Sequence, residues 1–259
     1  MKLQLVTARS GIRWVRSGIR TFLRQPLAFT GLFFIFMAVM SVMSLVPVLG
    51  NVLALALLPG ATLGLMAATK EAAKGKFPMP IVLLSAFRAG RSQMQAMMTL
   101  GGLYAAAFLA VLAISALADG GKFAQMYLYG GTMSAQTLQA ADFQMATLVA
   151  MALYLPLSLM FWHAPALVHW HGISPVKSLF FSFVACMRNF WAFTVYGLVW
   201  MGVFLAAGLI VATLAAVVGG TEVVPAIMFP LAMLMAAMFF TSLYFTFEDS
   251  FAVGDGEPS

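Results

Sequence analysis

Three histidines, His163, His169 and His171, fall within F-W-H-A-P-A-L-V-H-W-H-G, from Phe161 to Gly172. Imidazoles this close invite a metal, haem or proton-handling reading. His163 and His171 are eight residues apart and suit one helix face, but Pro165 stands between them; His169 and His171, two apart, diverge on a helix. Zinc wants three or four ligands and haem wants axial ligands on facing helices, which this cluster does not supply. With Trp162 and Trp170 beside it, the segment reads first as an aromatic belt at a membrane interface. Among 20 methionines, Met37, Met40 and Met43 recur at steps of three, and Met94, Met97 and Met98 form a second group. Thioethers can bind Cu(I), but at helical spacing in lipid they serve more often as polarizable packing. Cys186 is the sole cysteine, which excludes an intrachain disulfide and a CxxC pair. P-loop, HExxH, GxSxG and dinucleotide-binding fingerprints are all missing from the sequence. The expectation is a protein that is not an enzyme and carries no metal or other cofactor.

A second pattern concerns charge. Arg9, Arg13, Arg16, Arg20 and Arg24 follow at steps of 4, 3, 4 and 4, one stripe of a helix, and Ile12, Val15, Ile19, Phe22 and Leu23 form a neighbouring stripe. Such a helix can lie in the headgroup layer, apolar side down, with each guanidinium near an anionic phosphate worth about 1 kcal/mol. Docking of RNA or an acidic partner is the weaker reading, because the stripe is short and abuts an apolar run. The net charge of +6 is likewise distributed between apolar runs and not over a solvated face, so no nucleic acid is expected.

The elements that must carry these residues follow from composition. Of 259 residues 63% are hydrophobic and 8% charged, against about 25% charged in soluble domains. That leaves an all-α, polytopic membrane protein. Uncharged runs predict six transmembrane helices, at about 27-48, 52-69, 94-118, 144-166, 192-218 and 223-247. They make a 27-247 membrane domain between a 1-26 cytoplasmic amphipathic arm and a short acidic 248-259 tail. The first apolar run is too long for a cleaved signal and leads straight into another, so the N-terminus is expected to be retained. Thirteen of the 14 Lys and Arg residues fall on the side of the two termini and only Lys122 on the other, which predicts both termini in the cytoplasm of a bacterial inner membrane. Asp119 and Asp142 bound an outer loop, and Glu222 lies on the same face.

The spans read as three hairpins, each preceded by a cytoplasmic amphipathic or interfacial helix: the arm, then Pro80 to Arg91, then Pro175 to Arg188. R-Q-P-L-A-F-T (Arg24 to Thr30) aligns with R-N-F-W-A-F-T (Arg188 to Thr194), and L-L-P-G-A-T, Y-L-P-L-S-L and M-F-P-L-A-M place Pro59, Pro156 and Pro230 in the return helices. An internal repeat with kinks at those prolines is expected. Gly60 and Gly64 add a GxxxG spacing suited to close packing. No span holds Asp, Glu, Lys or Arg at its centre, so ion coupling has no evident carrier. Tyr104, Tyr154, Ser158, Thr213 and Thr241 supply hydroxyls, expected mostly to bond the preceding turn of their own helices.

The chain resembles an uncharacterised family of multi-pass inner-membrane proteins from beta-proteobacteria. M-K-L-Q-L-V with its Arg-rich arm, A-T-L-G-L-M-A-A-T-K-E-A-A-K-G (Ala61 to Gly75) and A-P-A-L-V-H-W-H-G-I-S-P-V-K-S-L-F-F-S (Ala164 to Ser182) carry the resemblance. It implies location and origin, and it adds no mechanism. The functional expectation is a non-enzymatic membrane-organising or partner-supporting protein with contacts to anionic lipid and to an unidentified membrane-protein partner. The alternative is a facilitator or channel for a small or amphipathic solute.

Overall fold

The computed structural model describes residues 2–130, 133–218 and 223–252. A two-residue strand β1 (Lys2–Leu3) precedes α1 (Ser10–Arg24), α2 (Pro26–Ser44) and α3 (Leu49–Ala73). A 3-10 turn (Pro80–Leu84) and the single turn α4 (Ser85–Arg88) lead into α5 (Arg91–Asp119). The short α6 (Lys122–Tyr129) and α7 (Ala135–Gln139) come before α8 (Ala141–Trp162), α9 (Ala164–His171) and α10 (Pro175–Arg188). α11 (Phe190–Val218), α12 (Val223–Ser250) and the strand β2 (Phe251–Ala252) follow.

The uncharged runs become six helices long and apolar enough to cross a membrane: α2, α3, α5, α8 with α9, α11 and α12. The 29 residues of α5 and of α11 extend about 43 Å, more than the ~30 Å of hydrocarbon, so each must tilt or protrude. Leu205, Leu209, Leu214 and Val217 of α11 are exposed, an arrangement suited to lipid and not to water. Of the expected acidic tail, residues 248–250 close α12; its end beyond residue 252, and Glu222, lie outside the described residues.

The chain divides into two compact units. The first comprises Met1–Ile35, Gly64–Leu83 and Ala185–Ser259. Here α1 packs on α11 and α12 through two glycines, since a Cβ on Gly11 would strike the Ala192 carbonyl and one on Gly18 would strike Ser242. Trp14, Val15 and Phe22 are buried on that face, while Ile12 (52%) and Leu23 (61%) stay exposed. This corrects the expected packing: the side of the arm that includes Val15 and Phe22 sits on protein, because the glycines let two helix backbones approach more closely than Ile12 and Leu23 would allow. The Trp14 ring meets those of Phe193 and Tyr196 at 5.2 and 6.1 Å. Asp249 Oδ2 accepts from both Arg13 Nη2 and Trp14 Nε1, each at 2.7 Å.

Residues 2–6 are tied to residues 250–252 and to Asn189 in the same unit. β1 pairs antiparallel with β2, Lys2 opposite Ala252 and Leu3 opposite Phe251. Gln4 N donates to the Ser250 carbonyl at 2.9 Å. At the corner between α10 and α11, Asn189 Oδ1 accepts from Val6 N and its Nδ2 donates to the Gln4 carbonyl, both at 3.0 Å.

The second unit comprises Phe36–Leu63 and Leu84–Val184. Its α5 and α8 lie side by side, and Gly101 of α5 packs so closely on α3 that a Cβ there would meet the Ala56 carbonyl. At the end of α5, Gly120 and Gly121 take left-handed conformations (φ 67° and 91°), and buried Asp119 accepts from Gly121 N and Phe123 N at 2.8 and 2.7 Å. Asp119 therefore caps α6 and is not a loosely solvated loop carboxylate. Lys122 pairs with Asp142 at 2.7 Å, which holds the lysine above its usual pKa through that hydrogen bond and the opposite charge.

Pro59, Pro156 and Pro230 each stand inside a helix that continues past them. Pro165 instead marks a real break: α8 stops at Trp162 and α9 restarts at Ala164 with the proline in its first turn. The segment from Pro80 to Arg91 is not one amphipathic helix but a 3-10 turn plus a single α-turn before α5, unlike the continuous helices α1 and α10.

Candidate functional site

The arginine stripe lies on the exposed side of α1. Arg13 is engaged by Asp249, but among the described residues no carboxylate comes within ion-pair distance of Arg16, Arg20 or Arg24. These three rim an open groove of about 560 Å³ between α1 and α11, with Ile19, Val199 and Val203 among its apolar walls. The arrangement can hold a phosphate on the guanidiniums and an acyl chain along the groove. Arg9, the residue before α1, is exposed as well.

The second unit contains a different kind of site, a cavity of about 500 Å³ framed by α3, α5, α6 and α8. Its lining is aliphatic and aromatic, with Tyr104, Tyr127, Tyr154 and Thr147 as the polar residues and no charged side chain. The Tyr104 and Tyr154 hydroxyls face each other at 3.5 Å across α5 and α8. Tyr104 is 5% exposed and Tyr154 40%. Phe108 stacks on Tyr104 at 6.2 Å, meets Tyr154 edge-on at 5.9 Å and leans on Tyr127 at 5.3 Å. The Leu128 carbonyl accepts from Asn51 Nδ2 at 2.7 Å, fastening α6 against α3. An adjoining cavity of about 340 Å³ shares Leu55, Leu58 and Phe108 with the first and is lined further by Phe36, Met37 and Met40.

Ser158, Thr213 and Thr241 bond back to the Leu155, Leu209 and Ala237 carbonyls of their own helices. The two tyrosines do not, because a phenol carries its oxygen too far from the backbone that bears it. Sequence reasoning named both hydroxyls without bringing them together. Fifty residues separate them, and no local signal in either apolar helix points to the other.

The three histidines do not converge. His163 is fully buried at the break between α8 and α9, so the aromatic-belt reading does not extend to it; His169 and His171 are half-buried on α9. At that break a continuous helix would bond His163 N to the Leu159 carbonyl, and the Ser182 hydroxyl takes both places. It accepts from His163 N at 2.9 Å and donates to the Leu159 carbonyl at 2.8 Å. Among the described residues no three His, Cys, Asp or Glu side chains gather as metal ligands would. Met97 is buried while Met94 and Met98 are exposed, so that group is not one cluster of thioethers either.

Over 256 residues the chain is 42% identical to a protein of Burkholderia thailandensis described as a probable inner membrane protein; the match covers 98% of this chain and 95% of the relative. No family model matches the sequence. No solved structure matches it.

Proposed function

The chain belongs to the family of that beta-proteobacterial inner-membrane relative, and from this premise we propose that it is a non-enzymatic membrane-organising protein that holds anionic phospholipid on the face carrying α1. The observation that carries the proposal is the groove between α1 and α11, where Arg16, Arg20 and Arg24 stand over apolar walls without a carboxylate partner among the described residues. An anionic headgroup meets the guanidiniums, for about 1 kcal/mol each, and its chain lies against Ile19, Val199 and Val203. The charge bias supports a cytoplasmic position for this face and for both termini, and the pairing of β1 with β2 supports placing the termini on one side. A bilayer held in this way gives a partner protein an ordered surface beside the six spans.

The test uses the whole protein, because α1 is packed into it. Native mass spectrometry of protein released from equimolar phosphatidylethanolamine and phosphatidylglycerol nanodiscs should find phosphatidylglycerol retained in excess. With Arg16→Gln, Arg20→Gln and Arg24→Gln combined, that excess should fall about tenfold or more. Equal retention of both lipids by the unaltered chain would overturn the proposal.

A further inference from the structure

The cavity of the second unit has a chemistry unlike that of the basic groove. Two of its polar groups face each other: the Tyr104 and Tyr154 hydroxyls are 3.5 Å apart, well beyond the ~2.7–2.8 Å of a good O–H···O bond. Neither phenol has another hydrogen-bond partner among the described residues. Each hydroxyl offers one donor and acceptor lone pairs, and that of buried Tyr104, bonding only weakly, forfeits most of what it gave up in leaving water. The pair is thus open to a third oxygen. The stacked and edge-on contacts of Phe108 hold both rings, so the hydroxyls are set in place before any ligand arrives. Around them there is no lysine, arginine, aspartate or glutamate, and an ionised headgroup brought there would lose its water without gaining a counter-charge. The occupant must therefore be neutral. A volume of about 500 Å³ falls in the ordinary range for small-molecule sites, roughly 300–1,000 Å³, and the adjoining 340 Å³ past Phe108 gives an apolar tail somewhere to go. Met151 of the lining is exposed on α8, so the cavity communicates with the surface that faces lipid.

We propose that this cavity binds a neutral lipophilic molecule carrying a carbonyl or hydroxyl oxygen, which the Tyr104 and Tyr154 hydroxyls hold between them while its apolar body fills the space beside Phe108. A prenyl alcohol and a prenyl or alkyl quinone share this chemistry. Both place a lone oxygen function at the end of an apolar chain.

The experiment uses the full chain in nanodiscs and a diazirine derivative of farnesol, with cross-linked peptides identified by mass spectrometry. Labelling should be saturable, should map to α5 and α8 near Tyr104 and Tyr154, and should be displaced by farnesol or by decylubiquinone but not by hexadecane. Which of the two displaces at lower concentration distinguishes a hydroxyl from a carbonyl source. Combining Tyr104→Phe with Tyr154→Phe removes two oxygens and leaves the rings, and the apparent affinity should fall about tenfold. Should that double variant fail to fold, Ala150→Phe, which fills the cavity and leaves the phenols, should abolish the labelling instead. Labelling that maps elsewhere, equal displacement by hexadecane, or affinity unchanged in a folded double variant would each overturn the proposal.

Discussion

Cys186 sits on the protein-facing side of α10 at 2% exposure, and burial pushes its thiol up to about 12. Because the folded state keeps a proton that the unfolded chain releases near 9, this residue's contribution to stability is full below pH 9 and declines as pH rises toward 12. At pH 7.5 the folded protein should resist N-ethylmaleimide, and full modification should appear only with denaturant, read by intact mass. Rapid labelling of the native chain would contradict the burial. Sequence reasoning excluded an intrachain disulfide there, since Cys186 is the sole cysteine. It could not find the pairing of Tyr104 with Tyr154 or of Trp14 with Asp249, because those contacts join residues 50 and 235 positions apart. Nothing local marks one tyrosine in a membrane helix as the partner of another.

Helices were legible where their cause is local. A run without charge becomes a span wherever it occurs, and Pro165 falls in the first turn of α9, where its missing amide is not needed. Pro80 to Arg91 was less legible, since its short apolar run fits a helix or a looser turn equally well, and only its seating on α3 decides. There a Cβ on Gly64 would meet the Leu83 backbone, and one on Gly60 would meet the Phe87 ring. The close packing that the GxxxG spacing suits is thus made with a connecting segment. The break between α8 and α9 depends on a residue 19 positions away, Ser182, whose hydroxyl replaces a helical hydrogen bond. Ser182→Ala leaves a buried amide and carbonyl without that bridge and should cost about 1–3 kcal/mol. Thermal unfolding in detergent checks the magnitude, and hydrogen exchange should quicken first at His163; Ser182→Thr, which keeps the hydroxyl, should lose less.

Across the whole molecule, residues 249–252 hold the segment from Lys2 to Trp14. Asp249 receives both Arg13 and the indole of Trp14, Ser250 receives Gln4, and β2 pairs with β1. Asp249→Ala strands the N–H of Trp14, which is 1% exposed, and should destabilise α1 by about 1–3 kcal/mol. Limited trypsin digestion should then cut at Arg16 and Arg20 well before the rest of the chain, whereas the unaltered protein should resist. The order of synthesis gives this clasp a further meaning. A ribosome makes the arginine arm well before α11, α12 and β2, the surfaces that receive it. Until those have been made the arm has no seat, and its positive charges remain free to steer the early spans during insertion. Only once β2 has left the ribosome can it close on β1, so a message cut short before residue 249 would leave the arm unfastened.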